Sequence, residues 1–139
     1  MKFLKIILVA AVGILITSCC SCRKNTGKAS APLVGTQWTL IQLDGKLVQA
    51  NGNYFLTLNE EEGRINGRGD CNSFAGSYTL PASGGIQMSG IVSTRAFCPN
   101  QQQEDRFLKV LGAIDRYEVD GKLLMLYTNN ELTAVLEAK

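Results

Sequence analysis

Five cysteines and no histidine set the limits of what chemistry this chain of 139 residues can attempt. A thiol can carry a lipid, pair with a second thiol or bind a soft metal ion, and its position selects among these. Without histidine there is no Ser–His or Cys–His dyad and no ordinary general base near neutrality. The carboxylates offer no substitute. Glu60, Glu61 and Glu62 form a charge run beside Gly63, the composition of a solvated loop. Glu104 and Asp105 fit the electrostatics of a helix start. Arg68-Gly69-Asp70 spells an adhesion tripeptide by coincidence, since it falls in an expected strand. Gly67 and Gly69 do not join a strand to a helix, so they form no phosphate loop. No catalytic residue, cofactor or metal site is expected, and the chain reads as a non-enzyme. Cys20 and Cys22 are assigned to a flexible segment, where a metal site has no rigid frame.

Cys19 is set apart by the residues before it. Met1-Lys2 and Lys5 lead into an apolar run over residues 6–16, followed by Thr17, Ser18 and Cys19. A charged start, a short apolar run and small residues describe a secretory signal peptide. A membrane span would need about 20 apolar residues to cross ~30 Å of hydrocarbon, and this run is too short. Ending on cysteine, the segment resembles the bacterial lipobox. That resemblance implies cleavage after residue 18, diacylglycerol on the Cys19 thiol and acylation of the new amino terminus. Each buried methylene contributes ~0.8 kcal/mol, so two or three chains make a durable anchor. The lipid membrane, reached through acylated Cys19, is the first expected partner. By resemblance to enterobacterial sorting, the absence of aspartate after Cys19 implies the outer membrane of the bacterial cell envelope, facing the periplasm.

Charge and composition divide the rest. Residues 1–18 read as the leader, 19–32 as a lipidated flexible tether and 33–139 as one domain. Arg23, Lys24 and Lys28 make the tether basic, which suits anionic head groups. After residue 32 there are 9 basic and 12 acidic residues, and no clustered basic face for nucleic acid. A monomer is expected.

From Leu33 onward, short apolar segments alternate with turn signals at Asp44-Gly45, Glu62-Gly63, Gly84-Gly85, Asp120-Gly121 and Asn129-Asn130. That spacing predicts antiparallel hairpins in a barrel or sandwich. Residues 64–71 alternate strictly: Arg64, Asn66, Arg68 and Asp70 on one face, Ile65, Gly67, Gly69 and Cys71 on the other. Inward glycines predict a sharply curved strand approached closely by another backbone. Trp38, Leu40, Tyr54, Leu56, Leu58, Phe74, Tyr78 and Leu80 are assigned inward. So are Tyr117, Val119, Leu124, Leu126, Leu132, Ala134 and Leu136. Residues 100–114 instead have helical spacing, with Phe107, Leu108, Leu111 and Ile114 on one stripe. Asn100 is the expected N-cap with Gln103 closing a capping box, and Asp105 the expected partner of Lys109. The helix should pack against, or plug, a mostly antiparallel sheet.

Several blocks resemble the META domain of the HslJ-like bacterial lipoproteins. They are Gly35-Thr36-Gln37-Trp38-Thr39-Leu40, Cys71-Asn72-Ser73-Phe74-Ala75-Gly76 and Thr94-Arg95-Ala96-Phe97-Cys98, with the helix entry after Asn100. The resemblance covers nearly all of residues 33–137. It implies a mainly β, α+β fold: a small open antiparallel β-barrel with one α-helix packed against it, similar in shape to lipoprotein pilots of secretion systems. Asp70 departs from the family pattern, where a small or apolar residue is usual.

With Cys19 assigned to lipid and the chain exported to an oxidising compartment, Cys71 and Cys98 are a disulfide candidate. The alternative is two buried thiols acting as small hydrophobes. Asn72, Ser73 and Arg95 flank the two cysteines and are the candidate binding residues. Their structural alternative is Asn72 satisfying turn backbone and Arg95 bonding carbonyls or a carboxylate such as Glu104 or Asp105. Function therefore points to binding, of a protein in the envelope or an apolar ligand. The family resemblance implies envelope stress tolerance, heat response or novobiocin resistance. A pilot or assembly factor for a secretion or outer-membrane component is the second reading, and a periplasmic hydrolase inhibitor the third.

Overall fold

The computed structural model describes residues 29–49, 53–61 and 63–139. The leader, Cys19, Cys20, Cys22 and the tether through residue 28 lie outside the described residues, as does Glu62. In chain order the described elements are β1 (Gln37–Leu43), β2 (Lys46–Leu47), β3 (Phe55–Leu58), β4 (Arg64–Arg68) and β5 (Ser73–Thr79). They continue with β6 (Gln87–Ser93), α1 (Gln101–Leu111), β7 (Arg116–Asp120), β8 (Leu123–Thr128) and β9 (Glu131–Ala138).

The turn residues explain the connections. Asp44 and Gly45, Asn129 and Asn130, and Gly63, Gly84, Gly85 and Gly121 all hold positive φ between neighbouring strands. Asn, Asp and Gly tolerate that region, so each hairpin reverses where the sequence supplies them. The strands form one antiparallel sheet in the order β6-β5-β4-β3-β1-β9-β8-β7, with β2 attached to β1. The sheet does not close, because β6 and β7 are left as its two edges. Just ahead of both strands, Ile86 N–H reaches the Asp115 carbonyl at 3.2 Å and brings those ends together. This is the open, mainly β barrel with one helix that the resemblance implied.

Helix α1 connects the two edge strands, β6 and β7, in the chain and turns Phe107, Val110 and Leu111 into the core. Phe107 meets Tyr54 and Phe74 edge to face, with ring centroids 5.8 and 6.0 Å apart. Trp38, Leu40, Leu56, Leu58, Ile65, Leu124, Leu126 and Leu136 fill the remaining interior. Gly67 is buried on β4, where a Cβ would overlap the Phe55 carbonyl and the Phe74 ring. The close approach expected for the glycine-lined strand is therefore real. Residue 31 already contacts the sheet, with Ala31 N–H bonded to Gly121 C=O at 2.7 Å.

Some local expectations differ from the structure. Leu80 and Leu132 are exposed, not inward. Leu80 follows the last residue of β5, and the β8–β9 register shifts between Leu126 and Tyr127, just where Leu132 pairs. The helix stops at Leu111, and Ile114 is buried beyond it. Asn100 makes no side-chain cap; its amide donates to Asp70 Oδ2 at 2.9 Å. Asp105 accepts from Gln101 Nε2 at 2.8 Å one turn earlier.

The β1–β2 hairpin is clasped to α1 by a two-pronged contact. Arg106 Nε and Nη2 donate to Asp44 Oδ2 and Oδ1 at 2.5 and 2.7 Å. The guanidinium holds the Asp44 carboxyl below its ordinary value. Both side chains are well exposed, so the stabilisation is small. Its sign follows from the lowered pKa: it is present above the unfolded carboxyl value and lost as pH falls through the folded one. Arg106→Ala should lower the melting temperature by a few degrees at pH 7, with the difference from wild type closing in strong acid. Melting curves across that range check this; a gap that widens in acid would contradict it.

Candidate functional site

After β4 the chain turns at residues 69–72, closed by Gly69 N–H to Asn72 C=O at 2.7 Å. This turn faces the start of α1 and the loop 94–98 that follows β6. Cys71 and Cys98 are disulfide-bonded across this junction, with Cα atoms 6.2 Å apart. Cys98 is buried and Cys71 partly exposed.

Under the disulfide lie two buried polar residues, Asn72 and Glu104, each 1% exposed. Glu104 Oε2 accepts the backbone N–H of Cys71 at 3.1 Å and of Asn72 at 3.0 Å. Glu104 Oε1 accepts Asn72 Nδ2 at 2.6 Å. The same amide nitrogen lies 3.0 Å from the Ala96 carbonyl. Asn72 Oδ1 accepts the Ala96 N–H at 2.7 Å and the Thr94 hydroxyl at 2.8 Å. One carboxylate and one amide thereby tie the turn, the helix and the loop together. A buried network in which every member is bonded rigidifies its surroundings.

Gly69 belongs to this arrangement. A Cβ there would overlap Glu104 Cγ and Oε2, so only glycine leaves room for the carboxylate. Gly69→Ala is expected to destabilise by about 2 kcal/mol, because the side chain it strikes is itself held at three points. Urea denaturation measures this, and a change within 0.5 kcal/mol, roughly the level of a neutral surface substitution, would refute the crowding. At the rim, Asp70 accepts amides from Asn53 at 3.2 Å and Asn100 at 2.9 Å. The departure from the family pattern at residue 70 is thus a bridge between the entry to β3 and the start of α1. Burial, with the Asp70 and Glu104 carboxylates nearby, pushes the Tyr54 phenol up to about 12.

The three candidate binding residues separate in this geometry. Asn72 is enclosed and bonded internally. Ser73 pairs with Thr94 through backbone and hydroxyl: Thr94 N–H to Ser73 C=O at 3.0 Å, and Ser73 N–H to Thr94 Oγ1 at 3.2 Å. Ser73 and Arg95 are both exposed, and of the three only Arg95 lines a surface groove of about 480 Å³. The groove lies between residues 93–97 and the face of α1 bearing Gln101, Asp105 and Leu108. Phe97, on its rim, is 96% exposed.

Cys71, Cys98 and Glu104 bring ligand-type atoms within 4.8 Å of one another. Both sulfurs are committed to the disulfide and the carboxylate to three N–H donors, so the trio offers no free thiolate. Glu104 and Phe97 are the residues that sequence reasoning missed. Glu104 could have been found, since Glu104, Phe107 and Leu111 share the i, i+3, i+7 stripe that faces the core. The exposure of Phe97 had no sequence signal, because an aromatic beside a cysteine ordinarily reads as core.

Comparison with known proteins completes the site. Residues 31–139 match the family described as META domain. Among solved structures, a protein from Burkholderia xenovorans, determined by NMR, is 28% identical with a TM-score of 0.62, covering 80% of this chain and 93% of that one. A second NMR structure is 23% identical at TM-score 0.60, covering 76% and 90%. A DUF4847 family protein from Bacteroides vulgatus shares the fold at 12% identity and TM-score 0.57, covering 76% and 93%. Among curated proteins none matches.

Proposed function

The chain belongs to the META domain family, and on that premise we propose that it is a non-enzymatic, lipid-anchored envelope protein that binds a protein partner through the groove beside Phe97. The observation that carries this reading is the exposed Phe97 on a loop that cannot easily retract. The disulfide at Cys98 and the Asn72 contacts to Thr94 and Ala96 hold the loop on both sides of it. A large aromatic kept in water on a rigid support is the form of a binding anchor, since little ordering entropy remains to oppose association.

An apolar ligand inside the barrel is the weaker choice. Trp38, Phe107 and the leucines around them occupy the centre, and Phe107 stands between Tyr54 and Phe74. The lipobox at Cys19 supports a membrane tether, and the excess of acidic residues after residue 32 speaks against nucleic acid. The family resemblance suggests that the bound partner serves envelope stress tolerance or antibiotic resistance.

Complementation of a deletion strain under novobiocin or heat challenge tests the reading. Phe97→Asp and Cys19→Ala should each fail to complement while Phe97→Asp melts within a few degrees of wild type. Full complementation by either variant would reject it.

A further inference from the structure

We propose that the unpaired edge of β6 takes an extended, carboxylate-bearing strand from the partner protein, laid along the groove beside Arg95 and Phe97; this rests on the reading of that groove as a protein-binding site.

The two edges of the sheet differ in how they are guarded. Strand β7 reads Arg-Tyr-Glu-Val-Asp, so three of its five residues are charged. Arg116 is paired with Glu118 and lies 3.7 Å above the Tyr127 ring. Charges on an edge discourage the addition of another strand. Strand β6 reads Gln-Met-Ser-Gly-Ile-Val-Ser and has neither charge nor proline, and its Val92 is 68% exposed. Nothing in its sequence blocks pairing.

The hydrogen-bonding direction of β6 also fits. Thr94 N–H bonds to Ser73 C=O, so the Thr94 backbone faces β5. Backbone direction alternates along a strand, which turns the N–H and C=O of Ser93 away from β5. Ser93 lines the groove. A register shift across Gly90 and Ile91, with Gly90 at φ +61°, breaks the edge upstream, so the regular part available for pairing is 92–93.

The side chains along the groove select the partner. Asp105 already accepts from Gln101. Asp105 keeps its charge, since the Gln101 amide is neutral, but among the described residues no carboxylate is bonded to Arg95, so the guanidinium is the group that a carboxylate on the incoming strand would meet. Phe97 and Leu108 then supply apolar contact. A second copy of β6 brings no carboxylate, which favours a different protein over self-pairing. Main-chain bonds would give affinity and the Arg95 contact specificity, as in other strand additions.

The test uses the full mature chain in detergent micelles and a fluorescein-labelled peptide, Thr-Val-Glu-Val-Thr-Val-Glu, beside a version with lysine in place of glutamate. The glutamate peptide should bind at least about tenfold tighter, a difference of ~1.4 kcal/mol. Arg95→Glu should reverse that preference. Ser93→Pro removes the outward donor at a position where an edge strand tolerates proline, and should lower affinity about tenfold with the melting temperature held. If Ser93→Pro melts early, Val92→Lys places a guarding charge on the same edge and should weaken binding likewise. Equal binding of both peptides, no binding at millimolar concentration, or full binding by a stable edge variant overturns strand addition. So does a dimer in sedimentation that Ser93→Pro dissolves, which would make the occupant a second copy. Photo-crosslinking from position 97 separates the two levels. An adduct that survives Ser93→Pro keeps the groove and rejects the strand; its absence in the wild type rejects the groove.

Discussion

Glu104→Ala should destabilise the domain by about 4 kcal/mol, a loss of roughly 20 °C in melting temperature. The side chain is 1% exposed and accepts three N–H groups, two from backbone and one from Asn72. Truncation leaves the Cys71 and Asn72 backbone N–H groups with no acceptor and the Asn72 amide with Ala96 C=O alone, and each lost partner costs about 1–3 kcal/mol, offset in part by water entering the gap. Glu104→Gln keeps the volume but turns one amide N–H against a donor that the carboxylate had accepted. Its expected cost is about 2 kcal/mol. Urea denaturation of both variants measures this. Values within 1 kcal/mol of wild type, roughly the net contribution of one ordinary hydrogen bond, would mean that Glu104 does not organise the junction. The same variant gives a coupling test, because Gly69→Ala strikes the Glu104 side chain. In the Glu104→Ala background the added methyl has room, so the two costs should fall well short of additive.

Loss of the Cys71–Cys98 bond should cost ~3.5 kcal/mol, from the chain entropy released when a loop of 27 residues is freed. Cys71 is partly exposed and Cys98 buried, so a small reductant enters at Cys71. The loop should nonetheless stay in place on reduction, because Asn72 Oδ1 still holds Ala96 N–H and the Thr94 hydroxyl. Reduced protein should therefore melt lower yet keep slow amide exchange at Ala96. Reduction without a change in melting, or with immediate exchange at Ala96, would contradict this division of labour between the bond and the amide.

The fold was largely legible because its signals are local. Gly63 and the other four turn pairs fall at strand connections, and the inward assignments of Trp38, Leu40, Leu56, Leu124 and Leu136 follow from two-residue alternation. Alternation failed at Leu132, where a register shift intervenes. Bulges depend on the partner strand, which periodicity cannot see. The site was less legible for the same reason. Glu104 meets Asn72 across 32 residues, and Asp70 meets Asn100 across 30. Local rules gave Glu104 to the helix dipole and Asn100 to the N-cap, since both residues suit those roles. Tertiary partners took them instead. The inward glycine at residue 69 marked that something must enter there, without saying what.

Site-specific photo-crosslinking in intact cells, with the crosslinker at position 97, tests the central claim most directly. A partner protein bound at the groove of a membrane-held domain predicts one discrete protein adduct. That adduct should vanish when Cys19→Ala releases the chain from the membrane. No adduct, adducts to lipid alone, or an unchanged adduct in the Cys19→Ala form would contradict the account.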